Sequence, residues 1–179
     1  MRVAITGTPG TGKSSVAEKV SKELKCPLFP IEDLVENYEL YESYDDNRNS
    51  YIVDTKKLNK KLKKELNKRK NFILEGHLAH YFKEIDLLII LRANPTELKK
   101  RLESKGWISS KVVENVQAEI LDVILQESVP IHKNICEIET SKRPISSVVQ
   151  EIVTLIKNPD SWENYQPGKI DWSGYSSYF

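Results

Sequence analysis

The chain has 179 residues, and its 27 Lys and Arg stand against 26 Asp and Glu, for a formal net charge of +1. So even a balance argues against binding nucleic acid through overall charge, and 39% hydrophobic with 30% charged residues excludes a disordered, collagen-like or membrane-embedded chain. One domain is expected, long enough to bury a core without disulfides or a structural metal; Cys26 and Cys136 fit no metal spacing and read as free thiols of a reducing compartment.

No apolar run approaches the roughly 20 residues of a membrane span. Met1 leads almost directly into a glycine-rich motif, so no signal peptide and a cytoplasmic location are expected. Val3, Ala4 and Ile5 form the first strand. After the glycines at 7, 10 and 12, a helical pattern opens with Val16, Val20 and Leu24 on one face. A second strand is expected from Leu28. Residues 32–46 then carry seven acidic side chains and no basic ones, with Tyr38, Tyr41 and Tyr44 among them.

Asp54 suits the N-cap of a helix over residues 55–70, in which Leu58, Leu62 and Leu66 make an apolar stripe; residues 56–70 hold nine Lys or Arg against Glu65 alone. Further strands are read at residues 72–74, 87–91 and 135–138, and helices at Pro95 to Leu102, at 110–128 and through Val148, Val149, Ile152 and Ile156. Continuous apolar strands alternating with helices predict an α/β fold, a five-stranded parallel sheet with helices on both faces. Residues 1–158 are assigned to this domain and residues 159–179 to an irregular tail.

Gly7, Gly12, Lys13 and Ser14 satisfy GxxxxGK[ST] between a strand and a helix, the context that gives this motif its chemistry. Backbone N–H groups of Gly10, Gly12 and the following residues would face a polyphosphate, with the helix dipole behind them. Lys13 would reach the β- and γ-phosphates, and Ser14 would hold Mg²⁺. The motif implies a P-loop NTPase and leaves GTPases, ATPases and small-molecule kinases open.

Strand ends narrow the choice, because ligands of open α/β sheets lie beyond the carboxyl ends of the strands. Glu75 and His77 follow one strand and Arg92 closes another. Glu75 is the candidate for orienting the Mg²⁺ shell through water, and His77 for positioning a water or a phosphoryl oxygen; an imidazole satisfied within the fold is the alternative for His77. His77 and His80 lack a third ligand for zinc. Arg101 and Lys105, one helical turn apart, either face the phosphates or form a solvated helix face.

With these residues placed, the chain resembles the adenylate kinase six family, the kinase-like ATPases of ribosome assembly of the Fap and coilin-interacting nuclear ATPase type. The resemblance rests on the loop, on Asp33-Leu34, Leu40-Tyr41, Tyr44-Asp45 and Ile52-Val53-Asp54, on Glu75-Gly76-His77, and on Arg101-Leu102-Glu103 before Lys105-Gly106-Trp107. Asn115, Gln117, Glu119 and Ile120 continue it, and the segment from Gly168 to Trp172 is similar to the ends of archaeal members.

The resemblance implies a nucleoside monophosphate kinase-like domain with a short lid over residues 104–114 and a monophosphate segment over 30–53. It implies that Gly10, Gly12, Lys13, Ser14 and Ser15 bind ATP phosphates, that Lys105 faces them, and that Arg143 approaches the adenine. Asp33 and Tyr41 of the monophosphate segment, with Arg92, are the substrate-binding candidates. Lys13, Glu75, His77, Arg101 and Lys105 are the catalytic ones. Three positions depart from the family: Glu75 replaces Asp, Lys105 replaces Arg, and Glu36 stands where some members carry Arg.

The expected activity is adenylate kinase, ATP and AMP to two ADP, together with ATP hydrolysis. The family context adds small-subunit ribosomal protein eleven as partner, late maturation of the small ribosomal subunit, and a transient contact of the basic helix with pre-ribosomal RNA. An assembly switch without appreciable kinase turnover, and a P-loop kinase for another small substrate, are the competing functions.

Overall fold

A computed structural model describes residues 1–46 and 50–178. Its strands and helices run β1 (Arg2–Thr6), α1 (Lys13–Leu24), β2 (Leu28–Pro30), α2 (Ile31–Asn37), β3 (Tyr41–Asp45), β4 (Ser50–Val53) and α3 (Thr55–Leu66). There follow β5 (Phe72–Glu75), β6 (Leu87–Arg92), α4 (Pro95–Ser104), α5 (Ser109–Ile120), α6 (Val123–Ser128), β7 (Ile135–Glu139) and α7 (Ile145–Lys157).

β2, β5, β1, β6 and β7 form the five-stranded sheet in that order, every pairing parallel. All five strands match the apolar runs read from the sequence. Alternate residues feed two cores: Val3, Ile5, Leu87 and Ile89 pack against α1 and α7, whereas Ala4, Leu74, Leu88 and Ile90 pack against α2 and α3. Burial on both faces is why these strands are apolar throughout. The carboxyl ends then fall together: Ile5 pairs with Glu75 and with Ile89, so the loop after β1 lies between Glu75 and the end of β6.

Three differences from the sequence reading have local causes. β3 and β4 form an antiparallel hairpin, invisible as apolar alternation because its faces are polar and tyrosine-rich. The hairpin keeps its order through Tyr41 stacked on Tyr51 at 4.3 Å. α3 stops at Leu66, where its apolar stripe ends, although the basic run continues; Asp54 caps it as expected, accepting from the N–H groups of Lys56 and Lys57 at 3.0 Å each. The helix expected over 110–128 is two helices, because Asp122 between them takes a left-handed φ of +54°.

The tail packs onto the domain. Trp162 donates its indole N–H to Leu155 O at 2.8 Å, and the Gly168 N–H donates to Glu137 at 2.7 Å. Trp172 is buried among Leu98, Leu102, Val112 and Val116 of α4 and α5. The Asn94 amide, whose oxygen caps α4, also donates to the Tyr175 hydroxyl at 2.7 Å. Truncating a buried Trp costs about 3 kcal/mol or more. Trp172→Ala is therefore expected to lower the unfolding midpoint by several degrees in a thermal melt, and an unchanged midpoint would refute this packing.

Candidate functional site

The loop between β1 and α1 is shaped by backbone constraint. Gly7 has φ +143°, and a Cβ there would lie 2.3 Å from Leu91 O, so the loop can run this close to β6 only as glycine. Gly12, at φ +96°, turns the chain into α1, whose first residue is Lys13. The helix N-terminus and its free N–H groups thus open on the space above the sheet.

That space is a cleft of about 760 Å³. Its floor is the loop, with Gly10, Gly12, Lys13, Ser14 and Ser15 all lining it. Glu75 and His77 rise from the end of β5, and Lys105, Trp107 and Lys111 come from the α4–α5 link and the start of α5. Ile31, Glu32, Val35 and Glu36 of α2 and Tyr51 and Val53 of β4 form another wall. His80 and Glu127 extend the lining.

The Lys13 amine donates to Thr8 O at 3.2 Å. Burial pulls its pKa down to about 8, against the pull of Glu75 and Glu32. Ser14 donates to Glu75 at 3.2 Å, and burial raises the Glu75 pKa although Lys13 and Ser14 oppose the rise. His77 is pushed down to about 4, by burial first and by Lys13 second, so it is a neutral imidazole at pH 7. His80, buried behind it, pairs with Glu127 at 3.0 Å, and burial lowers its pKa as well.

Several expected site residues stand elsewhere. Arg92 was expected in the crevice; it is instead buried beneath it, with 2% exposure, and its guanidinium is consumed. It donates to Glu119 Oε1 at 2.8 Å, to Glu119 O at 3.1 Å, and to Asp122 and Glu137. Burial opposes this charge, but Glu119, Glu137 and Asp122 outweigh it and raise the Arg92 pKa. A strand-end position put Arg92 near the crevice; the facing carboxylates, distant in sequence, decided its direction.

Arg101 lies behind the loop, donating to Gly10 O at 3.3 Å and to Thr140 O at 3.1 Å. Arg143 donates to Glu139 O at 3.0 Å and to Glu151, outside the cleft lining. Asp33 is exposed on α2 while its neighbour Glu32 lines the cleft, and Tyr41 reaches it only through Tyr51. Glu32 and Tyr51 fall within the segment expected at the monophosphate and Lys111 within the expected lid, though none was singled out, and Glu127 was not anticipated in the cleft. None sits in a motif, and only the chain's folding back brings them to the loop.

A family model described as an AAA domain matches residues 3–122. A protein of Methanocaldococcus jannaschii named "Putative adenylate kinase" is 39% identical over 173 residues, covering 97% of this chain and 93% of that one. A protein of the same name from Methanococcus maripaludis is 41% identical over 183 residues, covering 96% and 95%. The chain belongs to this family. Among solved structures, shikimate kinase from Acinetobacter baumannii superposes with a TM-score of 0.64 at 14% identity, covering 89% of this chain and 94% of that one. Deoxyadenosine kinase from M. mycoides gives 0.60 at 16% identity, over 88% and 100%. The fold is that of the P-loop kinases. Among the described residues no helix is long and apolar enough to cross a membrane.

Removing one member of a buried ion cluster costs about 3–5 kcal/mol, since its partners stay charged and buried. Arg92→Met should thus show a large loss of stability in a urea melt; a variant of wild-type stability would mean that the cluster is not formed. For Lys13 the amine is charged below about pH 8 and neutral above it. A polyphosphate that binds the charged form raises that pKa, so binding takes up a proton and weakens as pH rises through 8. Titrations with ATP at pH 7 and pH 9 should differ in affinity by roughly tenfold, a difference absent in Lys13→Met.

Proposed function

We propose that the chain is an adenylate kinase that transfers the γ-phosphoryl group of ATP to AMP, giving two ADP, and that it also hydrolyses ATP. The observation that carries the reading is one cleft with a phosphate-binding loop at its floor and a separate acceptor wall from α2 and β4. The names of the family members point the same way.

In this reading the loop N–H groups and Lys13 hold the β- and γ-phosphates, while Lys105 and Lys111 approach from the lid side. The Ser14 hydroxyl and Glu75 carboxylate, adjacent at 3.2 Å, are hard oxygen donors that suit Mg²⁺. Bound there, Mg²⁺ would neutralise phosphate charge. His77, neutral at pH 7, can accept a proton from a water or orient an acceptor oxygen. An AMP phosphate oxygen forms the new bond to the γ-phosphorus as the bridging bond to the β-phosphate breaks, and ADP leaves with that electron pair.

The second reading is an ATP-driven assembly switch with negligible kinase turnover. It draws support from the acceptor wall, where Glu32 and Glu36 repel a phosphate monoester and neither Asp33 nor Arg92 lines the cleft. In either reading we assign the chain to the adenylate kinase six family, acting in the cytoplasm with small-subunit ribosomal protein eleven in late maturation of the small ribosomal subunit. The exposed Lys56, Lys60 and Lys64 of α3 offer a face for pre-ribosomal RNA.

A time course with Mg²⁺ and ATP, with and without AMP, separating the three adenine nucleotides, tests both readings. ADP formed at two per AMP consumed is the expected kinase result. ADP and free phosphate at an AMP-independent rate would favour the switch, and neither product would overturn both. Hydrolysis should fall in His77→Ala, and its persistence at the wild-type rate would remove the role given to His77.

A further inference from the structure

The second residue of the phosphate-binding loop is held by an acid. The Thr8 hydroxyl, buried at 3% exposure, donates to Glu119 Oε2 at 2.5 Å. A carboxylate touching a loop built for polyphosphate is electrostatically adverse unless its charge is committed elsewhere. Here it is. The other oxygen, Oε1, accepts from Arg92 Nε at 2.8 Å and from the Ala93 N–H at 3.0 Å. Glu119 is itself 2% exposed and sits on α5, the helix whose first turns carry Lys111 into the cleft.

The Thr8 backbone is gripped as well. Its carbonyl accepts from the Lys13 amine at 3.2 Å, from the Thr11 N–H at 3.2 Å and from the Thr11 hydroxyl at 2.9 Å. The Lys13 bond is the one that nucleotide binding draws on, because the same amine, with three donors, is the one placed to meet the phosphates. Whatever the Lys13 amine contacts, the Thr8 hydroxyl bond ties this part of the loop to the Arg92 cluster at the end of β6.

Building on the kinase reading above, we propose that Glu119 is a positioning residue for nucleotide binding: through the Thr8 hydroxyl it fixes the phosphate-binding loop while the Lys13 amine serves the phosphates. It acts through Thr8 and does not touch the nucleotide. The loop meets ATP already ordered, so less affinity is lost to ordering it. α5 thereby links the loop to the lid side of the cleft, since one helix holds both Glu119 and Lys111.

The test measures ATP dissociation constants with Mg²⁺ on the full chain, together with thermal melts. Thr8→Val removes only the hydroxyl and is expected to weaken ATP binding roughly tenfold. Thr8→Ser keeps the hydroxyl and should bind as the wild type does, which a purely steric role of Thr8 would not produce. Glu119→Gln should weaken binding similarly, and the double variant Thr8→Val, Glu119→Gln should bind no worse than either single one, as expected when two groups act through one bond. Should Glu119→Gln fail to fold, the two Thr8 variants decide alone. Wild-type affinity in Thr8→Val, or losses that multiply to about a hundredfold in the double variant, would overturn the inference. A wild-type chain that binds no ATP would bring down the kinase reading itself, an outcome distinct from any difference among the variants.

Discussion

A single guanidinium, that of Arg92, joins parts of the chain that lie far apart in sequence. It sits at the end of β6 and meets Glu119 of α5, Asp122 at the joint of α5 and α6, and Glu137 of β7. Glu119 extends the network to Thr8 of the phosphate-binding loop, and Glu137 extends it to the Gly168 N–H of the tail. A buried charge is expensive to desolvate, and replacing such a cluster by apolar side chains is often neutral or stabilising. Its members depend on one another, because removing any one leaves its partners charged and buried. The left-handed φ at Asp122, and with it the break between α5 and α6, is the backbone geometry at which Asp122 meets Arg92.

Desolvation governs the site above this cluster as well. Burial depresses the pKa of Lys13 and His77 and raises that of Glu75; Lys13 and Glu75 oppose each other's shift, whereas Lys13 deepens that of His77. A polyphosphate entering the loop meets preoriented N–H groups and a lysine that gains from accepting its charge. The acceptor wall is chemically different. Glu32 and Glu36 line it beside Ile31, Val35 and Tyr51, a surface better suited to hydroxyls and a base than to an unshielded phosphate. The contrast between the two walls is the physical ground on which kinase and switch readings compete.

α4, α5 and the tail share one small core. Trp172 and Ile170 pack with Leu98, Leu102, Val112 and Val116, so α4 and α5 are held from outside by the chain's last segment and from inside by the Arg92 cluster. Arg101, on the same α4, reaches the loop through Gly10 O.

The sequence by itself determined the five parallel strands and the loop chemistry. Apolar runs have no other way to be buried on both faces, and the glycine spacing before Lys13 is local information read by neighbouring residues. The Asp54 cap was legible for the same reason. What only the tertiary structure decided was the direction of long polar side chains. Arg92, Arg101 and Asp33 occupy positions that sequence brings near the crevice, yet Arg92 turns beneath it, Arg101 behind the loop and Asp33 to solvent. Glu119 was visible only as one residue of a resemblance. A charged side chain turns to the partner that best repays its desolvation, and those partners lie 26 to 45 positions away for Ala93, Arg92 and their carboxylates and 111 away for Thr8 and Glu119. The hairpin of β3 and β4 was hidden for a related reason: its order comes from Tyr41 against Tyr51 across the strands, a pairing that exists only once the chain has turned.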